Sequence, residues 1–274
     1  MTSARALAKV KRLFATKVGH TGTLDPLASG LLVLLIGRAT RLSRYVTPLD
    51  KVYTATARFG AVSDTLDAEG NLTPLDAPMP DESTIRAALP EFTGDLLQIP
   101  PMASALKRGG TRLYELHRRG LSVEREARPV TIHSLTLTAT DPAEQTATFE
   151  VSCSSGTYVR TLIFDLADRL GTGAYLGALR RTRVGHLRVE EAAKPDELIP
   201  TTIRNHMIRT SAVISHLPAV EVDEAGERVV CSGRALRGGG MAGSFRVQRA
   251  GELLAVYRGG GGAAARAEVV LCGG

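Results

Sequence analysis

A glycine-punctuated polar loop (19–30) followed directly by a short apolar run (31–36) constrains the fold more than any other stretch of the chain. The loop carries His20, Thr23 and Asp25. The run is too short for a membrane-spanning helix, so it predicts a strand buried on both faces, with a turn of buried helix as the alternative. A polar loop that leads into such a strand lies at the edge of a core, where one side chain can be held firmly.

Asp25 is the candidate for that firmly held side chain. It is the only carboxylate before Asp50, whereas the first 44 residues carry eight Lys or Arg. An acid among so many bases is expected to find cationic partners and to stay ionised. The competing interpretation is a plain turn, because Asp-Pro preceded by glycines is ordinary turn chemistry.

Charge is sorted into blocks along the chain, which has a net charge of +6. Residues 101–130 hold seven Lys or Arg against three acids, and residues 169–189 hold five Arg and no acid. Residues 61–99, in contrast, hold eight acids and only Arg86. This sorting predicts a basic face for the phosphates of a nucleic acid and an acidic face opposite it, with ordinary solvated surface as the alternative.

The cysteines and histidines favour neither a disulfide framework nor a metal site. Cys153, Cys231 and Cys272 are scattered, odd in number and without Cys-x-x-Cys spacing, which suits a reducing cytoplasm. No His-x-x-x-His pair occurs, so no metal is expected. The glycine-rich loop also lacks the Gly-Lys-Ser/Thr of a P-loop, and no nucleotide cofactor is expected.

Hydrophobic periodicity predicts an α+β protein with mixed sheets. Alternating apolar residues indicate strands at 52–59, 128–140 and 146–153. Apolar residues at helical spacing indicate a helix over 157–170, and the stretch 196–206 is also predicted to be helical.

The residue pattern changes beyond residue 216, where short apolar stretches alternate with glycine clusters. This pattern predicts a small β-rich C-terminal domain over 216–274. The preceding residues, 1–210, are predicted to form one larger domain.

Arg160 lies in the first turn of the predicted helix, where a cation meets the positive end of the helix dipole at a cost of about 0.3–1 kcal/mol. That position is easier to understand if a carboxylate from elsewhere pairs with the guanidinium. The alternative is an exposed, hydrated arginine. Tyr53 and Tyr158 could each stack on an unstacked base, although core packing is the commoner role of such tyrosines.

The order of several motifs resembles the TruB family of tRNA pseudouridine synthases. The stretch Gly-His-Thr-Gly-Thr-Leu-Asp-Pro-Leu-Ala-Ser-Gly-Leu-Leu, residues 19–32, is similar to the signature loop of that family. The similarity covers nearly all of residues 3–190. It continues through Asp50-Lys51-Val52-Tyr53, Gln98-Ile99-Pro100-Pro101, Ser104-Ala105-Leu106-Lys107, residues 125–131, Ser155-Gly156-Thr157-Tyr158-Val159-Arg160-Thr161 and Leu179-Arg180-Arg181.

The resemblance implies a pseudouridine-synthase-like mixed sheet with flanking helices, and isomerisation of the uridine at position 55 in the TΨC arm of tRNA without cofactor or metal. By carry-over onto the matching positions, Asp25 is the catalytic aspartate, which breaks the bond between N1 of the base and C1′ of the ribose. Tyr53 stacks on the base and is a candidate to assist proton removal. Arg160 pairs with Asp25.

The resemblance also implies residues that hold the substrate. Tyr158 and Leu179 line the pocket for the flipped base, and His20 enters the RNA loop. Lys107 and Thr23 are further candidates for substrate binding. The C-terminal region resembles a short PUA domain, which adds RNA contact in this family.

The family normally begins with a strand and a Lys-Pro-x-Gly-x-x-Ser loop ahead of the first helix, and this chain begins near that serine, at about Ser3. We therefore expect that strand to be missing and part of the sheet to be uncovered. The partner implied is tRNA alone, bound by a cytoplasmic monomer with no membrane and no required protein partner.

Two other functions fit the same features. A guide-RNA-dependent synthase subunit of the dyskerin type would share the central loop but need surfaces for partner proteins. A non-catalytic RNA-binding or RNA-folding protein would share the basic surface but not the chemistry.

Overall fold

A computed structural model of the chain describes residues 1–104, 106–237, 240–262 and 264–272. It contains helices together with mixed sheets that have both antiparallel and parallel strand pairs, as the periodicity predicts. No helix within these ranges is long and apolar enough to cross a membrane. The α-helices are α1 (Ser3–Lys11), α2 (Ser43–Val46), α3 (Glu82–Ala88), α4 (Leu113–Arg118), α5 (Val159–Arg169), α6 (Thr210–Val213) and α7 (Glu224–Cys231).

Strands make up most of the remaining regular structure, and short 3₁₀ turns connect several of them. The strands are β1 (Val18–His20), β2 (Ser29–Gly30), β3 (Leu34–Ile36), β4 (Lys51–Phe59), β5 (Ala61–Ser63), β6 (Leu72–Pro74), β7 (Gly94–Gln98), β8 (Lys107–Arg108), β9 (Thr111–Arg112), β10 (Arg128–Asp141), β11 (Thr146–Cys153), β12 (Ala174–Val184), β13 (Leu187–Arg188), β14 (Ala219–Glu221), β15 (Leu236–Arg237), β16 (Ala242–Arg249), β17 (Glu252–Gly260) and β18 (Ala264–Val270).

The chain forms two compact units. The central unit comprises Leu24–Leu31 and Pro48–Glu191. The terminal unit comprises Met1–Thr23, Leu32–Thr47 and the chain from Ala192 onward.

The central unit is built on a seven-stranded sheet with the order β13-β12-β4-β11-β10-β7, and β2 adds to β12 in parallel. Its strand β11 alternates as predicted, because Ala147, Phe149, Val151 and Cys153 are all fully buried. Helix α5 contributes Leu162, Ile163 and Leu166 to the same core. Burying each of these three side chains stabilises the fold by about 1.5–3 kcal/mol.

The terminal unit contains a five-stranded sheet with the order β14-β16-β17-β18-β15. Its own core includes Val230 of α7 and the stacked rings of Phe245 and Tyr257. The Tyr257 hydroxyl donates a hydrogen bond to the Arg234 carbonyl oxygen, so this buried polar group is satisfied. A strand-rich region beyond residue 216 is therefore present, as the glycine-separated apolar stretches predict.

Two predicted elements differ from the structure. The run 31–36 is a strand only at Leu34–Ile36, because the backbone of Leu31 instead bonds to Arg181 on β12. The predicted helix 196–206 is wrong: this stretch contains 3₁₀ turns, including Ile203–His206. Pro200 explains the interruption, since proline removes a helix hydrogen bond and clashes with the preceding turn.

The cysteine prediction is also wrong, because Cys231 and Cys272 form a disulfide. The bond links the last residue of α7 to the segment after β18, two residues that only the folded sheet brings together. Cys153 is a free, buried cysteine. Spacing in the sequence could not indicate this pairing, since the partners are 41 residues apart.

We expect reduction of this disulfide to lower the free energy of unfolding by about 2–4 kcal/mol. The cross-link lowers the conformational entropy of the unfolded chain, and reduction restores that entropy. Urea unfolding with and without dithiothreitol measures the difference. The Cys231→Ser, Cys272→Ser double variant is the control and should not respond to the reductant. Equal stability of the oxidised wild type and the double variant would contradict the prediction.

Candidate active site

Asp25 lies in a turn at the start of the segment that leads to β2. Its carbonyl oxygen accepts a hydrogen bond from the Ala28 backbone N–H at 2.9 Å, so the turn interpretation is correct for the backbone. Its side chain is nevertheless held by a guanidinium and keeps 36% of its surface exposed. A carboxylate that is anchored on one side and open on the other can meet a substrate.

Arg160 lies in the first turn of α5, and its guanidinium bridges two carboxylates. Nε lies 3.0 Å from Oδ2 of Asp25, and Nη1 lies 2.9 Å from Oδ2 of Asp67. The same group donates to the carbonyl oxygens of Thr65 (3.2 Å) and Ala103 (2.9 Å). The side chain is only 5% exposed, and these partners compensate the buried charge. The predicted pairing of Arg160 with Asp25 is confirmed.

Asp67 is a member of the site that the sequence reasoning missed. It is 2% exposed, and its Oδ1 accepts hydrogen bonds from the Thr65 hydroxyl (2.7 Å) and the Glu69 backbone N–H (3.0 Å). The acidic face predicted from residues 61–99 therefore does not include Asp67, which is buried. In the sequence Asp67 is one of the eight acids of residues 61–99, and this composition does not distinguish an exposed carboxylate from one buried against Arg160.

Tyr158 precedes α5 and is fixed through its backbone by a buried amide. Gln98, at the end of β7, accepts a hydrogen bond from the Tyr158 N–H (3.0 Å) and donates one to its carbonyl oxygen (3.3 Å). Because Gln98 is 3% exposed, this pair of bonds fixes where the helix begins and therefore where Arg160 lies. Tyr158 is half-buried, and burial raises the pKa of its hydroxyl, with a smaller increase from the Asp25 carboxylate.

Tyr53 and Leu179 lie on one face of the sheet. In the ladder between β4 and β12, Tyr53 is opposite Arg181 and Leu179 is opposite Ala55, so the four side chains share that face. Leu179 belongs to the buried core of the central unit, and the partly buried Tyr53 packs against that core. Burial raises the pKa of the Tyr53 hydroxyl, and the negative charge of Asp25 contributes to the increase. Tyr53, Tyr158 and Asp25 therefore belong to one site.

The pKa of Asp25 is determined by opposing effects. Burial raises it above the ordinary value of an aspartate, and the neighbouring Asp67 carboxylate adds to this increase. The Arg160 and Arg181 guanidiniums lower it, but they do not outweigh burial. The cationic partners expected from the sequence are present, and desolvation, which depends on the fold, acts against them.

The described structure does not test the roles of three predicted substrate-binding residues. His20 and Thr23 belong to the terminal unit, where His20 lies in β1 and Thr23 is exposed. The side chain of Lys107 lies outside the described part of the chain. Their substrate-binding roles stay predictions.

The chemistry available is that of an ionisable carboxylate beside two aromatic rings and a fixed cation. Such a carboxylate can act as a nucleophile or base, and the rings can stack on a planar base. Among the described residues, no three His, Cys, Asp or Glu side chains are grouped as a metal ion would require.

Comparison with known proteins identifies similar sequences. The sequence profile described as TruB family pseudouridylate synthase (N terminal domain) matches residues 9–159. A protein named tRNA pseudouridine synthase B from Aromatoleum aromaticum is 44% identical over 259 residues, 93% of this chain and 83% of that protein. A protein of the same name from Burkholderia mallei is 44% identical over 286 residues, 100% of this chain and 94% of that protein.

Solved structures share the fold. The structure titled Crystal Structure of a Cbf5-Nop10-Gar1 Complex matches with a TM-score of 0.76 and 25% identity, covering 98% of this chain and 81% of that chain. The archaeal box H/ACA sRNP Nop10-Cbf5 complex matches with a TM-score of 0.73 and 24% identity, covering 98% and 82%. The predicted α+β fold with a strand-rich C-terminal region is confirmed.

Proposed function

Because the chain belongs to the TruB family of pseudouridylate synthases, we propose that it converts uridine 55 in the TΨC arm of tRNA to pseudouridine, with Asp25 as the catalytic residue. Membership of this family makes the chain an isomerase. The relatives named tRNA pseudouridine synthase B support tRNA as the substrate. The observation that carries the assignment of Asp25 is its carboxylate, anchored by Arg160 and yet open on one side.

Substrate and product of this reaction are isomers: every heavy atom stays in the RNA, and the proton lost from C5 is replaced by one taken up at N1. The target base must first leave the stacked loop, at a cost of about a few kcal/mol, which stacking and phosphate contacts offset. Asp25 then attacks the ribose C1′ or the uracil ring, and the bond between N1 and C1′ breaks. The uracil turns, C5 bonds to C1′, the proton on C5 leaves for solvent, N1 gains a proton and Asp25 is released.

Tyr53 and Tyr158 serve as the surfaces against which the turning base stacks, and Leu179 closes the apolar wall beside Tyr53. Because burial raises the pKa of the Tyr53 hydroxyl, this group stays protonated at neutral pH. That favours stacking over proton abstraction by Tyr53. Arg160 orients the carboxylate, and Asp67 orients Arg160.

The roles of the two domains and the oligomeric state are also part of the proposal. Residues 1–210 form the catalytic domain. Residues 216–274, which contain the five-stranded sheet, form a PUA-like domain that adds RNA contact. The protein works on free tRNA as a cytoplasmic monomer, and His20, Thr23 and Lys107 bind the RNA. Sedimentation of the purified protein with and without tRNA tests the monomer.

Tritium release from tRNA labelled at C5 of uridine tests the reaction, since the C5 proton is lost only when the new bond forms. We propose that a tRNA transcript releases one tritium per molecule, and that a transcript with cytidine at position 55 releases none. Release from naked tRNA would argue against the guide-dependent alternative. Binding without release would favour the non-catalytic RNA-binding alternative.

We expect the affinity for tRNA to fall by about 10–100-fold when the salt concentration rises from about 50 to 200 mM, because each phosphate contact releases counterions. Filter binding across this range measures the slope of log affinity against log salt. The exposed Arg180 and Arg183 of β12 belong to the basic block 169–189, so replacing both by Gln should flatten the slope. Arg86→Gln, in the acidic block, is the matched control and should leave it unchanged. A flat wild-type slope would contradict the basic face.

A further inference from the structure

We propose that Arg181 is a positioning residue of this site: it fastens the segment that carries Asp25 to strand β12 and shares a face of the sheet with Tyr53. This inference rests on the proposed function, because it concerns how the same site is kept in working geometry. Arg181 is 3% exposed, so its guanidinium is buried in the central unit and does not belong to the basic surface.

The first support is the bonding between Arg181 and the end of the Asp25 segment. The Arg181 Nε donates to the Leu31 carbonyl oxygen at 2.8 Å, and the Leu31 backbone N–H donates to the Arg181 carbonyl oxygen at 2.8 Å. Gly30 pairs with Arg181 in the parallel ladder between β2 and β12. The residue therefore binds this segment through both its main chain and its side chain.

The second support is the close approach at Gly30. A Cβ atom there would lie 2.2 Å from the Arg181 carbonyl oxygen, and Gly30 has a φ of +99° that other residues rarely adopt. The backbone at Gly30 therefore lies directly against the backbone of Arg181. Asp25 is five residues earlier, and the turn between Asp25 and Ala28 leaves little slack between this anchor and the carboxylate.

The third support is the reach of the guanidinium into the site. In the ladder between β4 and β12, Arg181 lies directly opposite Tyr53, so the two side chains share one face of the sheet. The positive charge of Arg181 lowers the pKa of Asp25 and of Tyr53 against the stronger effect of burial. It also acts with burial on Lys51, whose pKa falls to about 8. One buried cation therefore acts on three titratable groups around the site.

Charge and geometry can be separated by two variants. Arg181→Met removes both the positive charge and the bond to Leu31, whereas Arg181→Lys keeps the charge and loses the fork of donors. The groups that act on Asp25 from the other elements are Arg160 and Asp67, and both variants retain them. The exposed Arg58, on β4 of the same sheet, supplies the matched control Arg58→Met.

The experiment measures kcat and KM for tritium release from tRNA across pH, together with urea unfolding of each variant. For Arg181→Met we expect kcat to fall about 10–100-fold with little change in KM, as for a small misplacement of reacting groups. We also expect the acid limb of its kcat profile to move to higher pH, because a charge that lowers the pKa of Asp25 is lost. Arg181→Lys should lower kcat but leave the acid limb in place, and Arg58→Met should match the wild type.

Arg181→Met with a wild-type kcat and acid limb would overturn the proposal. It would also be overturned if Arg181→Met and Arg181→Lys lost activity only in proportion to lost folded protein, with both acid limbs unmoved. If the wild type itself released no tritium, the proposed function would fail separately. Titration of the ¹³C-labelled Asp25 carboxyl by NMR, assigned with Asp25→Asn, then decides the role of Arg181: a higher pKa in Arg181→Met supports it and an unchanged pKa refutes it.

Discussion

Asp25→Asn should lower kcat for pseudouridine formation by at least about 10⁴-fold, as the loss of a nucleophile does in enzymes whose catalytic groups act together. Asparagine has nearly the shape of aspartate but cannot attack carbon, so the reaction stops before the bond between N1 and C1′ breaks. The Arg160 Nε can still donate to the amide oxygen. The fold and the affinity for tRNA should therefore stay close to those of the wild type.

The pH dependence of the wild type gives an independent check on the same residue. Burial raises the pKa of Asp25, and the reactive form is the ionised one, so kcat should fall on the acid side at a higher pH than for an ordinary aspartate. Asp196→Asn is the matched control for Asp25→Asn, because Asp196 is 94% exposed and pairs with Lys9 in the terminal unit. Residual turnover by Asp25→Asn above about 1% of wild type would reject Asp25 as the catalytic residue.

Arg160→Met should destabilise the protein by about 3–5 kcal/mol, because it leaves the carboxylates of Asp25 and Asp67 without the cation between them. The pKa of Asp25 should rise further, since the guanidinium that lowers it is gone while the Asp67 charge remains. We expect activity to fall with stability, and Arg160→Lys to be intermediate because an ammonium is a point charge and cannot bridge two carboxylates as the planar fork does.

A double-mutant cycle separates the loss of a cation from a general loss of packing. Adding Asp67→Asn to Arg160→Met removes one uncompensated carboxylate and should recover about 0.5–3 kcal/mol of stability in urea unfolding. Arg169→Met is the control on the same helix: Arg169 pairs with Glu91 at the surface, and its loss should cost about 0–1 kcal/mol. Equal losses for Arg160→Met and Arg169→Met, with no recovery in the double variant, would contradict the network.

The sequence alone determined the features that repeat along one element. The alternation of Ala147, Phe149, Val151 and Cys153 predicted a strand buried on one face, and β11 has the bounds 146–153. The apolar spacing of α5 predicted its core face in the same way. Such patterns are readable because a helix or strand sorts its neighbours in the chain onto faces with a fixed period. The motif order added the family, and the helix dipole added the pairing of Arg160 with an acid.

Only the tertiary structure decided which distant groups complete the site. Asp67 lies 93 residues from Arg160, and Arg181 lies 150 residues from Leu31, so no local period links either pair. The same holds for the disulfide between Cys231 and Cys272. Whether a carboxylate is buried, and which cation it meets, depends on contacts of about 3 Å and on the water removed around them, and both exist only once the sheet has formed.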